Sequence, residues 1–267
     1  MKGMSGKYTI EGVGSIAGGE YQNLVIDGAG TVNGELTAED IEINGVGKFK
    51  DKVTAKSIVI NGAGKFLEDT KCEEIDVEGS GTFKGNLEVN ELQVSGSSKV
   101  EKMVQGDMAH IEGALVALDG ASFDKVTVDG AFKTLKSLEV EEINCNGILS
   151  IGEELNGEKI IITLKGASKI GTIGGHEIKV RKGSFYGNTQ IFSMIKGLFS
   201  GESSNYDGLT CVEIEGDEID VEYTKAKIVR GCNVVIGDKC EIGKVEYSES
   251  IIASPSAKIR EKVKVQK

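Results

Sequence analysis

Few side chains in this sequence are of the kinds that make and break bonds, and their spacing decides what they could do. His110 and His176 stand in separate stretches, and Cys72, Cys145, Cys211, Cys232 and Cys240 form no CxxC pair. Zinc needs three or four such ligands converging, and Ser-His-Asp catalysis needs a histidine set between a carboxylate and a nucleophile. Neither grouping is present, so no catalytic residue, metal ligand or cofactor is assigned. The odd number of cysteines fits free thiols in a reducing, cytoplasmic compartment.

Glycine pairs and carboxylates are the remaining candidates. Gly28-Ala29-Gly30, Gly45-Val46-Gly47 and Gly62-Ala63-Gly64 look like turns that cradle phosphate. None completes GxGxxG or GxxxxGK[ST], and a phosphate site is needed once, at a strand-to-helix turn, not at every repeat. They read as structural corners. Asp27, Glu42, Asp76, Glu78, Glu112 and Asp129 fall where side chains point outward, and a charged exterior keeps a protein soluble. A carboxylate pair at glycosidase spacing on such a face would suit a carbohydrate-active enzyme, which is the least favoured alternative. VIGDKCEIG, residues 235–243, resembles one turn of a hexapeptide acyltransferase helix. Those enzymes need many consecutive hexapeptides and commonly a catalytic histidine.

The formal net charge of −11 argues against nucleic acid as a partner, because a phosphate-binding surface needs a basic stripe. MKGMSGKYTIEG lacks the apolar run of a secretory signal, and no stretch has the apolar length of a membrane span.

The elements that carry these residues follow from a repeat. Glycines stand at 28, 45, 62, 79, 96, 113, 130 and 147, spaced by 17 residues without a slip. Four residues before each glycine lies an apolar residue, from Leu24, Ile41 and Ile58 to Ile143, and two before it another, from Ile26 and Ile43 to Cys145. That alternation is the period of a strand. It recurs at positions seven and nine and at thirteen and fifteen of each unit, predicting three short strands per turn. Asp27-Gly28, Asn44-Gly45 and Asn61-Gly62 are turn dipeptides that accept positive φ. Three strands and three corners in 17 residues close one turn of a parallel β-helix, an all-β solenoid. Phe49, Phe66 and Phe83 share position nine opposite Gly47, Gly64 and Gly81 at position seven, a volume exchange that places both positions inside.

The expected organisation is a β-helix over 1–183, regular from residue 24; an insertion over 184–210; a second β-helical block over 211–250; and a basic tail over 251–267. Within the insertion, IFSMIKGLF places Ile191, Met194, Ile195, Leu198 and Phe199 on one stripe of a short helix, widened by Phe192. Such a stripe would pack back on the solenoid or dock on a partner or a membrane surface.

The units DGAGTVNGEL, NGVGKFKDKV, NGAGKF and EGSGTFKGNL, with the block TKAKIVRGCNVVIGDKCEIGKVEY at 224–247, resemble the bactofilins, bacterial polymer-forming cytoskeletal proteins. The resemblance implies a right-handed, three-sided β-helix that self-assembles without nucleotide into a homo-polymer, with a related paralogue as a further partner. It implies a scaffold for envelope, cell-shape or motility machinery, cytoplasmic and often at the membrane, and not an enzyme. A β-helix ends in an unpaired strand edge, so Tyr8 and Ile10 in the first turn are the expected polymer contact, and an adaptor docking on a membrane or envelope protein through residues 191–199 is the alternative.

Overall fold

The computed structural model describes residues 5–183 and 206–266, and every regular element among them is a β-strand. Two compact units form, Met1–Phe123 and Asp124–Lys267.

In the first unit each turn supplies a four-residue strand, such as Val46–Phe49 and Ala63–Phe66, and an eight-residue strand, such as Val53–Ile60 and Thr70–Val77. Each pairs in parallel with its equivalent one turn on: Phe49 with Phe66, Val53 with Thr70, Ile60 with Val77. The alternation that marked positions one and three, seven and nine, thirteen and fifteen is the burial pattern. Ile58, Ile60, Phe66, Ile75, Val77 and Phe83 are all buried, and each such side chain contributes on the order of 1.5–3 kcal/mol by leaving water.

The three short strands expected per turn become two runs. Within the eight-residue strand two successive residues point outward, Lys56 with Ser57 and Glu73 with Glu74, and there the chain turns its corner. Ser57 still pairs with Glu74, so the ladder survives the bend and no loop is needed.

The corner glycines do a different job from the one their turn dipeptides suggest. Positive φ occurs at Gly19, Gly34 and Gly120, and the column from Gly28 to Gly147 does not use it. What that column requires is close approach: a Cβ on Gly62 would lie 2.1 Å from the carbonyl oxygen of Gly45, and one on Gly45 would lie 2.0 Å from that of Gly28. Beside it runs an amide ladder, in which Asn44 Nδ2 donates to Asp27 Oδ1 at 2.8 Å and Asn61 Nδ2 donates to Asn44 Oδ1 at 2.7 Å. Inside, the rings of Phe49, Phe66 and Phe83 stack at centroid distances of 4.5 and 4.8 Å, nearly parallel. A Cβ on Gly64 would meet the Phe66 ring at 3.2 Å, so the glycine supplies the room that the ring fills.

The second unit keeps the ladder while its turn length changes. Leu138–Leu164 pairs with Ser168–Lys182 through a register shift between Ile151 and Glu154. Thr172 then pairs with Glu213 and Val180 with Val221, so the strands resume in register on the far side of residues 184–205. Lys182 Nζ lies 2.5 Å from Asp207 Oδ2, and Lys225 Nζ stands over the Tyr206 ring at 4.3 Å. Next the turns shorten, with Glu213 opposite Ile228 and Val221 opposite Ile236, and the non-glycine residues Tyr223 and Lys239 take positive φ. The basic stretch expected as a tail is instead largely strand, Glu241–Ala253 followed by Lys258–Lys264. Ile259 stacks on Ile242, and Lys258 and Glu261 stand opposite Glu241 and Lys244. Those apolar and opposite-charge pairs favour a ladder over a solvated tail.

Glycine substitution separates close approach from turn conformation. Gly62→Ala is expected to lower stability by about 3 kcal/mol or more, because backbone must move. Gly174→Ala, whose Cβ would find its nearest neighbours at 3.5 Å, is expected to stay within about 0.5 kcal/mol. Thermal or urea unfolding of the two variants checks this.

Candidate assembly surfaces

Of the chemistry-bearing side chains, His176 and Cys232 meet on the two oxygens of one carboxylate, Asp217, and His110 stands apart from them. His110 Nε2 lies 3.3 Å from Glu112 Oε1, and His176 Nδ1 lies 2.8 Å from Asp217 Oδ2, each pair on the exterior. Among the described residues no three His, Cys, Asp or Glu side chains are placed to hold a metal ion. Burial pushes the thiols of Cys72, Cys145 and Cys211 up to about 12 and that of Cys240 to about 11. Cys232 is half-buried, with its sulfur 3.3 Å from Asp217 Oδ1.

A groove of about 660 Å³ in the second unit is lined by Glu213, Arg230 and Glu246. Its arginine is already paired: Arg230 bonds Glu213 and, at 2.7 Å, Glu246, which also accepts from Lys244 at 2.7 Å. Hydrogen bonds from Lys244 and Arg230 hold the Glu246 carboxyl below its usual range, the opposite of what a general acid needs.

The open surfaces are the strand edges. Ser5–Ile10 pairs along one edge with the second turn, Tyr8 beside Leu24 and Ile10 beside Ile26, and no described strand pairs with its other edge. Parallel pairing demands a partner for those backbone groups. Tyr8 is 44% exposed and packs edge-on against Tyr21 at 6.2 Å. Ile10 points inward and is only 7% exposed, filling the space beside Gly14 and Gly30. Val13, in the next strand, is 94% exposed. At the other end Lys258–Lys264 pairs with Glu241–Tyr247 along one edge, and no described strand pairs with the other. Ile252 is exposed nearby. Ile191, Phe192, Ile195, Leu198 and Phe199, the expected docking stripe, lie outside the described residues.

The exterior of the first unit is acidic, and one carboxyl there is under strain. Asp76 stands one turn below Gln93 and two residues from Glu78, and its Oδ1 is buried without a hydrogen-bond partner. Burial, then the charge of Glu78, push its pKa upward.

These features define a class of protein, a parallel β-solenoid. Residues 3–88 match the family model of the bactofilins, described as polymer-forming cytoskeletal. Two proteins of Bacillus subtilis (strain 168) are similar. The uncharacterized protein YhbF is 34% identical over 98 residues, covering 37% of this chain and 35% of YhbF. The uncharacterized protein YhbE is 47% identical over 57 residues, covering 21% of this chain and 24% of YhbE. The chain therefore spans about a third or less of the length of these curated relatives. No solved structure matches it.

Two measurements follow. With a thiol reagent near pH 8, Cys232 is expected to react rapidly and the other four cysteines only after unfolding, as mass mapping of the labelled sites would show. A carboxyl raised in the folded state favours the protonated form, so Asp76 costs stability at neutral pH and the cost vanishes below the usual carboxylate range. Asp76→Asn is expected to raise Tm at pH 7 and to leave it unchanged in strong acid.

Proposed function

We propose that the chain is a structural scaffold that polymerises end to end without nucleotide, presenting a long exterior on which envelope, cell-shape or motility proteins are organised in the cytoplasm. The observation that supports this reading is the edge of Ser5–Ile10, with which no described strand pairs, inside the residues 3–88 that match the polymer-forming family. An edge of free N–H and C=O groups is satisfied by a strand from a second copy at the same spacing that joins the turns inside one chain. Two related chains, YhbE and YhbF, occur together in one organism, and co-assembly with a related chain would use the same edge. The five cysteines are unpaired thiols, in keeping with a reducing compartment.

Negative-stain electron microscopy and sedimentation of the purified protein test this. Thin filaments without added nucleotide are expected, and a monomer at every concentration would refute the polymer reading. Tyr8→Lys places a charge at the open edge on an exposed position and is expected to abolish filaments with the circular dichroism and Tm unchanged. Ile10→Lys is a poorer probe, because its buried side chain would open the first turn itself. Filaments of normal length from the Tyr8 variant would remove the contact from this end.

A further inference from the structure

In the second unit an inward column runs through Ile173, Ile214, Val229 and Val245, each pairing with the next in register and each no more than 1% exposed. One turn on, the residue paired with Val245 is Lys262. A charge therefore holds a core position. Beside it Ile259 pairs with the buried Ile242 and continues an apolar column. Between these two inward positions the chain turns a corner, with Gly243 and Lys244 beneath and Arg260 and Glu261 above. The strand Lys258–Lys264 carries Lys258, Arg260, Lys262 and Lys264 against Glu261. Lys258 reaches Glu241 at 3.7 Å, whereas Arg260, Lys262 and Lys264 are exposed and form no ion pair among the described residues.

We propose that this edge takes up an acidic extended segment of a partner protein, and that the added strand caps the assembly there; the capping rests on the end-to-end reading above, the binding does not. No described strand pairs with the outer edge of Lys258–Lys264, so its backbone groups accept a further parallel strand. That strand must cover Lys262. A charge covered by a new turn is tolerated only where an opposite charge meets it. The incoming segment therefore needs a carboxylate above Lys262 and, because Ile259 stands three residues earlier, an apolar side chain three residues before that carboxylate. Further carboxylates on the segment would meet Arg260 and Lys264. The first strand of a second copy fits less well, since Ser5–Ile10 carries Lys7 and no carboxylate. Two Lys258–Lys264 strands edge to edge would set cations against cations. An acidic strand thus outcompetes a second copy for this edge and stops growth at it. A lipid headgroup offers charge without the backbone pairing or the apolar contact.

The test uses the full chain and a labelled synthetic peptide of valine and threonine, with one isoleucine three residues before one glutamate, its affinity read by fluorescence anisotropy. Replacing the glutamate by glutamine is expected to weaken binding about tenfold or more, as when one partner of a buried charge pair is removed. Lys262→Val is expected to bind the two peptides alike, and Lys262→Glu to prefer a peptide with lysine in place of the glutamate. Lys262 is exposed, and circular dichroism with Tm checks that each variant folds. Under the electron microscope the glutamate peptide is expected to shorten wild-type filaments and the glutamine peptide to leave them long. Equal affinity of wild type for the two peptides, a glutamate preference that survives in Lys262→Val, or filaments of normal length in saturating glutamate peptide would overturn the proposal. So would vesicles of anionic lipid that bind wild type and not Lys262→Val while neither peptide binds, which would assign the edge to a membrane. Glutamate-selective binding by a chain that never forms filaments would refute the end-to-end reading and retain the strand site.

Discussion

Everything in this protein depends on parallel strands stacking one turn directly above its equivalent. Once Phe66 must sit over Phe49 and Gly62 over Gly45, each position of the turn becomes a column, and each column must be acceptable to itself. Apolar columns make the core. A column of glycines is demanded where backbones come within 2.2 Å of where a Cβ would stand. Asparagine can bond its own kind, as Asn61 bonds Asn44, and so suits an outer corner. Charges are the residues that stack badly on themselves, and the exterior meets this by placing opposite signs one turn apart, as with Lys56 and Glu39 or Lys71 and Glu88.

The rule also limits which side chains can meet on the outside. A solenoid turn spends its inward positions on packing and its outward ones on ladders, so its exterior contacts are short-range: His110 meets Glu112, and His176 and Cys232 meet on the two oxygens of Asp217. The groove around Arg230 is closed by its own ion pairs. No described strand pairs with the outer edge of Ser5–Ile10 or of Lys258–Lys264, and the proposed assembly would draw on such edges.

Much of the fold was legible because a 17-residue period and a two-residue alternation are properties of sequence alone. The Phe49 to Phe83 column and its facing glycines could be placed inside before any coordinates, and the structure stacks those rings as expected. Two kinds of feature were not legible. The glycine column signals a tight corner, yet composition cannot distinguish a need for positive φ from a need for close approach, and here approach is the cause. Beyond Cys211 the glycine register disappears as the turns shorten, while the ladder persists, since pairing needs matched alternation and not matched length. For the same reason Lys258–Lys264, dominated by charge, read as a tail although Ile259 and its opposite-charge neighbours carry it into a last strand. At the candidate contacts, the exposed Tyr8 and the inward Ile10 share a strand and were indistinguishable until burial was known. The block at 224–247 that helped suggest the family lies outside the stretch that matches it, which is residues 3–88.

Within each unit the turns stack on their equivalents, and the proposed assembly continues that stacking from molecule to molecule. Diffraction from aligned filaments of the purified protein tests it most directly. The account predicts a sharp reflection near 4.8 Å along the filament axis, the spacing of parallel strands lying across it. A reflection at that spacing perpendicular to the axis, with the strands running along the filament, would contradict it.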